Sequence, residues 1–285
     1  MSAAQTLRQL LESDDFLMMP CCFDGMSAKL VERAGYPLTF MSGFSVSAAR
    51  NALPDTGLLS YGEMVEQGRS ICQATSLPVI GDGDTGYGNA LNVKRTVQGY
   101  AQAGFAGIMI EDQVSPKRCG HTRGKKTVGF EEACMRIQAA VDARNEGADI
   151  LIMARSDARE TEGMDEAIKR MKAFEEIGAD ILFLEAPQSV EEMQRFCTEI
   201  KGAKMANMVE QGKTPVLPPQ ELQDMGYKIA AYPLTLMLSA LQAMEKALEE
   251  LKTGAHPSNL ASFSHLQEVI GFPEYYAAEE QYKIE

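Results

Sequence analysis

What most limits the fold of this chain is a recurring unit: a short apolar run, then glycine or polar residues, then an amphipathic stretch. Apolar runs at 16–20, 38–41, 78–81, 107–110, 150–154, 181–184, 204–206 and 228–231 read as strands. Several are apolar throughout rather than alternating, the pattern of strands covered on both faces. Helical periodicity fills intervals at 57–75, 90–103, 130–146, 164–177 and 189–200, and glycine marks helix-to-strand turns at Gly35, Gly104, Gly147 and Gly178. Eight such alternations predict an α/β fold, a parallel (β/α)8 TIM barrel. An open doubly wound sheet would place a phosphate-binding glycine turn after the first strand, and Phe23-Asp24-Gly25-Met26 is not one. Polar residues also follow nearly every strand, as in a barrel whose site gathers the carboxyl ends. The expected organisation is one barrel domain over 1–285. Its C-terminal helical extension, about 246–285, takes in the end of a long amphipathic helix at 236–251 and a further helical segment from 259, and packs on the barrel or on a neighbouring subunit.

Composition narrows the function classes. Of 285 residues, 45% are hydrophobic and 24% charged, and the formal net charge is -13. An acidic surface disfavours nucleic acid and anionic membranes as partners. An anionic substrate would need a locally basic pocket, which Lys117, Arg118, His121 and Arg155 can supply. No apolar run approaches the roughly 20 residues that span a bilayer. The first residues lack the basic and apolar regions of a secretory signal. The six cysteines, Cys21, Cys22, Cys72, Cys119, Cys134 and Cys197, show no metal-site spacing, and all but Cys119 read as packing residues. That usage fits a cytoplasmic location.

Three short motifs carry the chemistry. The turn Gly81-Asp82-Gly83-Asp84-Thr85-Gly86 is neither a P-loop nor an EF-hand. Asp82 and Asp84, two apart on extended backbone, share one side of the sheet. Their repulsion is relieved by a cation or by protonation, and Glu111 after the next strand is a plausible third carboxylate. A flexible turn with solvated carboxylates is the alternative. Hard oxygen donors suit Mg²⁺, with Mn²⁺ possible. In Pro116-Lys117-Arg118-Cys119-Gly120-His121, a thiol lies among cations, which favours thiolate and lets it exchange a proton near neutral pH. Arg155 ends an apolar run and needs a partner, either a substrate carboxylate or Glu185. A structural ion pair remains open for Arg155, and a simple turn role for Asn207.

At these residues the chain resembles the isocitrate lyase/phosphoenolpyruvate mutase superfamily. Lys117-Arg118-Cys119-Gly120-His121 resembles the catalytic loop of its lyase branch. The resemblance extends in order through Ser42-Gly43, Leu53-Pro54-Asp55-Thr56-Gly57, 82–86, Ile110-Glu111-Asp112-Gln113, Ala154-Arg155-Ser156-Asp157, Glu185-Ala186 and Asn207. It implies a (β/α)8 barrel with a helix swapped between paired subunits, in a homotetramer made of two such dimers. It implies metal binding at Asp84, with Asp55, Asp82 and Glu111 around its waters. It places Ser42, Gly43, Phe44, Gly120, His121, Arg155, Glu185 and Asn207 around the substrate. Cys119, Arg155, Glu185, His121 and Lys117 become the expected catalytic residues.

The departures from the family pattern bear on substrate. Methylisocitrate lyases have Tyr at the position of Phe40, Gly at Phe44 and Arg at Leu238, and that Arg helps hold a tricarboxylate. The segments 42–48 and 207–215 look more like the branch containing 2,3-dimethylmalate lyase and the petal death protein. The expected activity is therefore Mg²⁺-dependent carbon–carbon cleavage of a small dicarboxylate, an alkylmalate, to a 2-oxo acid and a carboxylic acid. Cys119 would protonate the leaving carbon. The base is left open between Glu185, Tyr87 and a metal-bound hydroxide. Oxaloacetate hydrolysis or decarboxylation is the alternative, then methylisocitrate cleavage, then a non-catalytic metal-pocket protein.

Overall fold

The computed structural model describes every residue except His121, Arg123 and Glu285. Eight parallel strands close into a barrel in the order β1 to β8, each hydrogen-bonded to the next and β8 to β1. They are β1 Leu17–Cys22, β2 Thr39–Met41, β3 Val79–Asp82, β4 Gly107–Glu111, β5 Leu151–Ser156, β6 Ile181–Leu184, β7 Ala203–Asn207 and β8 Ile229–Tyr232. The helices in order are α1 Ala3–Glu12, α2 Gly25–Arg33, α3 Gly43–Asn51, α4 Tyr61–Ala74, α5 Ala90–Ala103, α6 Phe130–Asn145, α7 Ala158–Thr161, α8 Met164–Ile177, α9 Val190–Glu199, α10 Pro219–Met225, α11 Thr235–Lys252, α12 Phe263–Val269 and α13 Phe272–Gln281.

The (β/α)8 architecture is the one the periodicity predicts. The differences lie at strand carboxyl ends. Asp82, Glu111, Arg155 and Asn207 were expected just beyond their strands and instead lie within them. Parallel pairing such as Glu111 opposite Arg155 carries the ladder past the last apolar residue. The helix expected from 57 begins only at Tyr61. There Ser60 and Glu63 form a reciprocal cap that satisfies two of the end's unpaired donors.

Side chains from all eight strands fill the barrel, with Met19, Phe40, Ile80, Met109, Met153, Phe183, Met205 and Ile229 in one cluster. Helix α1 closes the amino end: Ala4 and Leu7 join this cluster, and Leu7 is fully buried. A side chain on Gly107 would meet the Leu7 Cδ2 methyl at 3.2 Å, so a bare backbone lets the plug seat. A second cluster lies between strands and outer helices, with Val97, Tyr100, Phe105, Ile137, Met171, Phe174 and Phe196 buried there. With the amino end sealed, the carboxyl ends remain for a site.

The chain divides into two compact units, Met1–Leu236 and Met237–Glu285. In the second, Leu238, Leu241, Met244, Leu248 and Leu251 form an exposed apolar stripe at helical spacing. Among the described residues no helix is long and apolar enough to cross a membrane.

Candidate active site

A cavity of about 180 Å³ opens at the carboxyl ends of the strands. Its polar lining is Ser42, Asp55, Asp82, Lys117, Cys119, Arg155, Glu185 and Asn207, with Gly120 beside them. Phe40, Met109, Phe183 and Met205 form apolar walls below, and Phe44, Val209, Pro233 and Leu234 line it as well. The polar lining alone thus draws on seven separate stretches of sequence around one space. Gly43 and Asp84 line a much smaller adjoining void that shares Asp55. Glu111 is buried behind Arg155. His121 lies outside the described residues.

Local backbone geometry sets each group. The β3 end turns sharply: Asp84 takes a left-handed backbone (φ 48°), which a short polar side chain tolerates better than most. The turn is fastened to β4, because Gly83 N–H donates to the Met109 carbonyl and Glu111 N–H to that of Asp84, each at 2.9 Å. A Cβ at Gly83 would lie 2.7 Å from that same Met109 oxygen, so the turn requires glycine. Ser42 caps α3 by accepting from Ser45 N–H, and a Cβ on Gly43 would collide with the Asp82 carboxylate.

The Cys119 segment is tied down on several sides. The Gln113 side chain accepts from Arg118 N–H at 3.0 Å and donates to the Arg118 carbonyl at 2.9 Å. Arg136 in turn holds the Gln113 carbonyl at 2.7 Å. Cys119 N–H donates to the Asp55 carbonyl at 3.2 Å. A Cβ on Gly120 would sit 2.5 Å from Glu185 Oε1 and 2.6 Å from the Arg155 guanidinium. Only a bare backbone can come so close to that pair.

The electrostatics are those of a carboxylate-rich pocket. Lys117 bridges Asp55 at 2.6 Å and Asp84 at 2.9 Å. Burial lowers its pKa, but the carboxylates of Asp84, Asp82, Asp55 and Glu111 outweigh burial and hold it protonated. Its charge is thus committed to the carboxylates. Burial pushes Asp84 up to about 6, against Lys117, with Asp82 and Asp55 pushing the same way as burial. Burial likewise raises Glu111 well above the carboxylate range, with Arg155 opposing. Tyr87 is raised well above 10, first by burial and then by the Asp84 charge, so its phenolate is disfavoured.

Arg155 does have structural partners. Its Nε and NH2 grip both oxygens of Asp157 at 2.9 and 3.0 Å. Glu111 lies 3.3 Å from Nε, and Glu185 is 3.6 Å from NH1. Asn207 donates to Glu185 at 3.4 Å. Behind these, Asp112 accepts from Ser156 Oγ, Asp157 N–H and Arg170. Sequence reasoning did not single out Lys125 or Arg170, both buried in this network. Arg170 did carry a signal: it falls on the apolar stripe of α8 with Ala167, Met171 and Phe174.

The carboxylate set suits a hard divalent ion. Four acidic groups face one lysine, and Glu111 Oε1 is buried with no hydrogen-bond partner among the described residues. Among the described residues no three His, Cys, Asp or Glu groups converge tightly enough to cage a metal. Mg²⁺ fits such a place, because it keeps several waters and takes only one or two carboxylates directly.

A closed parallel barrel with a polar, arginine-bearing cavity at its carboxyl ends has the architecture of a barrel enzyme. The chain belongs to the phosphoenolpyruvate mutase/isocitrate lyase superfamily: the family model for phosphoenolpyruvate phosphomutase matches residues 7–252. It is a carbon–carbon lyase of that superfamily. It is 42% identical to 2,3-dimethylmalate lyase of Eubacterium barkeri, over 99% of each chain. The structure of an oxaloacetate acetylhydrolase bound to 3,3-difluorooxalacetate is similar at TM-score 0.94, with 31% identity, covering 98% of this chain and 97% of that one. A phosphonopyruvate hydrolase complex with oxalate and Mg²⁺ is similar at TM-score 0.88, with 29% identity over 99% of each chain.

Proposed function

We propose that this chain cleaves an alkylmalate such as 2,3-dimethylmalate to a 2-oxo acid and a carboxylic acid, with Mg²⁺. The observation that carries this is the meeting of Arg155, Glu185, Asn207 and Cys119 on one cavity, beside the Asp55, Asp82 and Lys117 group and above apolar walls. The likeness to a 2,3-dimethylmalate lyase along the whole chain supports the same substrate class.

Asp84, with Asp82, Asp55 and Glu111 nearby, would hold the metal, which when bound supplies Lewis acidity at the substrate's 2-hydroxyl and adjoining carboxylate. The chain's own groups do the rest. Arg155 takes a substrate carboxylate and stabilises the charge that develops on it. Glu185 takes the hydroxyl proton, since it lines the cavity and Tyr87 does not. The oxygen's electron pair forms the new C=O as the C2–C3 bond breaks. That bond's pair passes to the departing carbon as a carboxylate enolate, which Cys119 protonates. Ser42 and Asn207 orient the oxygens. Lys117 keeps the Cys119 segment on the Asp55 and Asp84 side.

Substrate size follows from the walls. Phe44 lines the cavity, and about 180 Å³ suits a compact diacid better than a tricarboxylate. The second unit, through its exposed apolar stripe, is proposed to pack between subunits of a helix-swapped homotetramer, which sedimentation would test.

A turnover panel of alkylmalates, oxaloacetate and methylisocitrate, with and without Mg²⁺, tests the proposal. An alkylmalate should give the highest kcat/KM and require the metal. The oxaloacetate acetylhydrolase likeness favours oxaloacetate as the second reading, and faster turnover of oxaloacetate or methylisocitrate would overturn the first.

A further inference from the structure

The segment that carries Cys119 meets the carboxyl end of β5 twice. At Gly120 its backbone lies against the guanidinium of Arg155 and the Glu185 carboxylate. At Lys125 its ammonium reaches Asp157 Oδ1 at 2.8 Å. The side chains of Lys125 and Asp157 are both fully buried. We propose that Lys125 is a positioning residue for the substrate's carboxylate, acting on Arg155 through Asp157. The inference rests on the assignment of Arg155 to the substrate made above.

Asp157 has two oxygens and three donors to share them. Oδ2 accepts from Arg155 Nε. Oδ1 accepts from both Arg155 NH2 and Lys125 Nζ. The Nε–NH2 edge of the guanidinium is therefore turned to Asp157, which leaves NH1 toward Glu185 on the cavity side. Asp157 itself cannot retreat, because its N–H is held by Asp112, and Asp112 is held by Arg170. Lys125 is braced on its far side by Glu160 at 3.0 Å, which also binds Lys213.

Removing the Lys125 charge has two consequences with the same sign. Asp157 then draws on Arg155 alone, so the guanidinium has less charge to offer a ligand. Asp157, Glu111 and Glu185 also lose one of the cations around them, which makes the cavity more hostile to an anion. Groups joined in one buried ion-pair network couple by factors of about two to a hundred.

The test is calorimetric titration of the Mg²⁺-loaded protein with oxalate as the probe, beside kcat and KM on an alkylmalate. Lys125→Met should weaken oxalate by about tenfold and raise KM by a similar factor, with the number of sites and kcat changing much less. Lys125→Arg should restore oxalate affinity to within about threefold, because it again presents a cation to Asp157. A merely structural lysine behaves differently: its loss lowers the fraction of competent sites and kcat and leaves the affinity of the surviving sites unchanged. That result, or wild-type oxalate affinity in Lys125→Met, overturns the proposal. Should Lys125→Met fail to fold, Lys125→Gln keeps a donor without the charge and is held to the same outcomes. A wild-type protein that binds oxalate but cleaves no alkylmalate removes the substrate assignment and leaves this test standing. Failure of the wild type to bind oxalate overturns both.

Discussion

Gly120→Ala is a one-methyl probe of how closely the Cys119 segment must approach the Arg155–Glu185 pair. The added carbon would lie 2.5 Å from Glu185 Oε1 and 2.6 Å from the Arg155 NH2 nitrogen. Comfortable non-bonded contact begins at about 3.4 Å, so roughly 0.9 Å must be found. Neither neighbour gives way easily. Arg155 is forked onto Asp157, and Glu185 is buried between Arg155 and Asn207. The segment therefore moves, and Cys119, one residue away, moves with it. A misplacement of about 1 Å costs on the order of 10²-fold in rate. Overpacking of this kind costs about 1–3 kcal/mol of stability. Steady-state kinetics on an alkylmalate should thus show kcat down about 100-fold, with thermal melting showing a protein that still folds. A Gly120→Ala enzyme within threefold of wild-type kcat would refute the close-approach argument.

Other predictions follow from the same geometry. Asp84, raised by burial to about 6, takes up a proton on folding between about pH 4 and 6, so its contribution to stability falls as pH rises through that interval. Mg²⁺ bound as proposed at Asp84 would have to displace that proton. Its calorimetric affinity should therefore weaken from about pH 7.5 to about 5.5 and be lost in Asp84→Ala, and an affinity flat with pH would contradict the assignment. Cys119→Ser should lose about 10²–10⁴-fold in kcat with Mg²⁺ affinity unchanged, and wild-type turnover in D₂O should place deuterium on the new C–H of the acid product. Full turnover by the serine variant would remove Cys119 from the proton transfer. Leu7→Ala, at the sealed amino end, should cost about 2–5 kcal/mol in denaturant unfolding with little change in KM, which separates the plug from the site.

The barrel was legible because its strands are apolar on both faces and its helices switch the period. The site was partly legible because barrels place function at strand ends. Asp82, Glu111, Arg155 and Asn207 all reach the site region, although a charged residue ending an apolar run gives no sign that the ladder continues through it. Lys117 was expected to act on the neighbouring thiol, and the fold turns it onto Asp55 and Asp84. Proximity in sequence favours the first reading, whereas the carboxylates that capture it come from other loops. Lys125 was hidden for the same reason. Beside Lys126 it reads as part of a solvated pair, and Asp157, the partner that buries it, is 32 residues further on.

The closure of the barrel has a consequence for how the chain is made. Leu17 to Pro20 of β1 pair with Ile229 to Tyr232 of β8. On a ribosome adding about 5–20 residues per second, roughly ten to forty seconds separate the appearance of the two halves of that seam. Through this interval the outer edge of β1 has no ladder partner, and Leu7 has no finished floor to seat against. Nascent chains stalled before residue 229 should therefore depend on a chaperone to keep that edge from pairing with a neighbour. Chains released beyond residue 232 can close the seam and withdraw it.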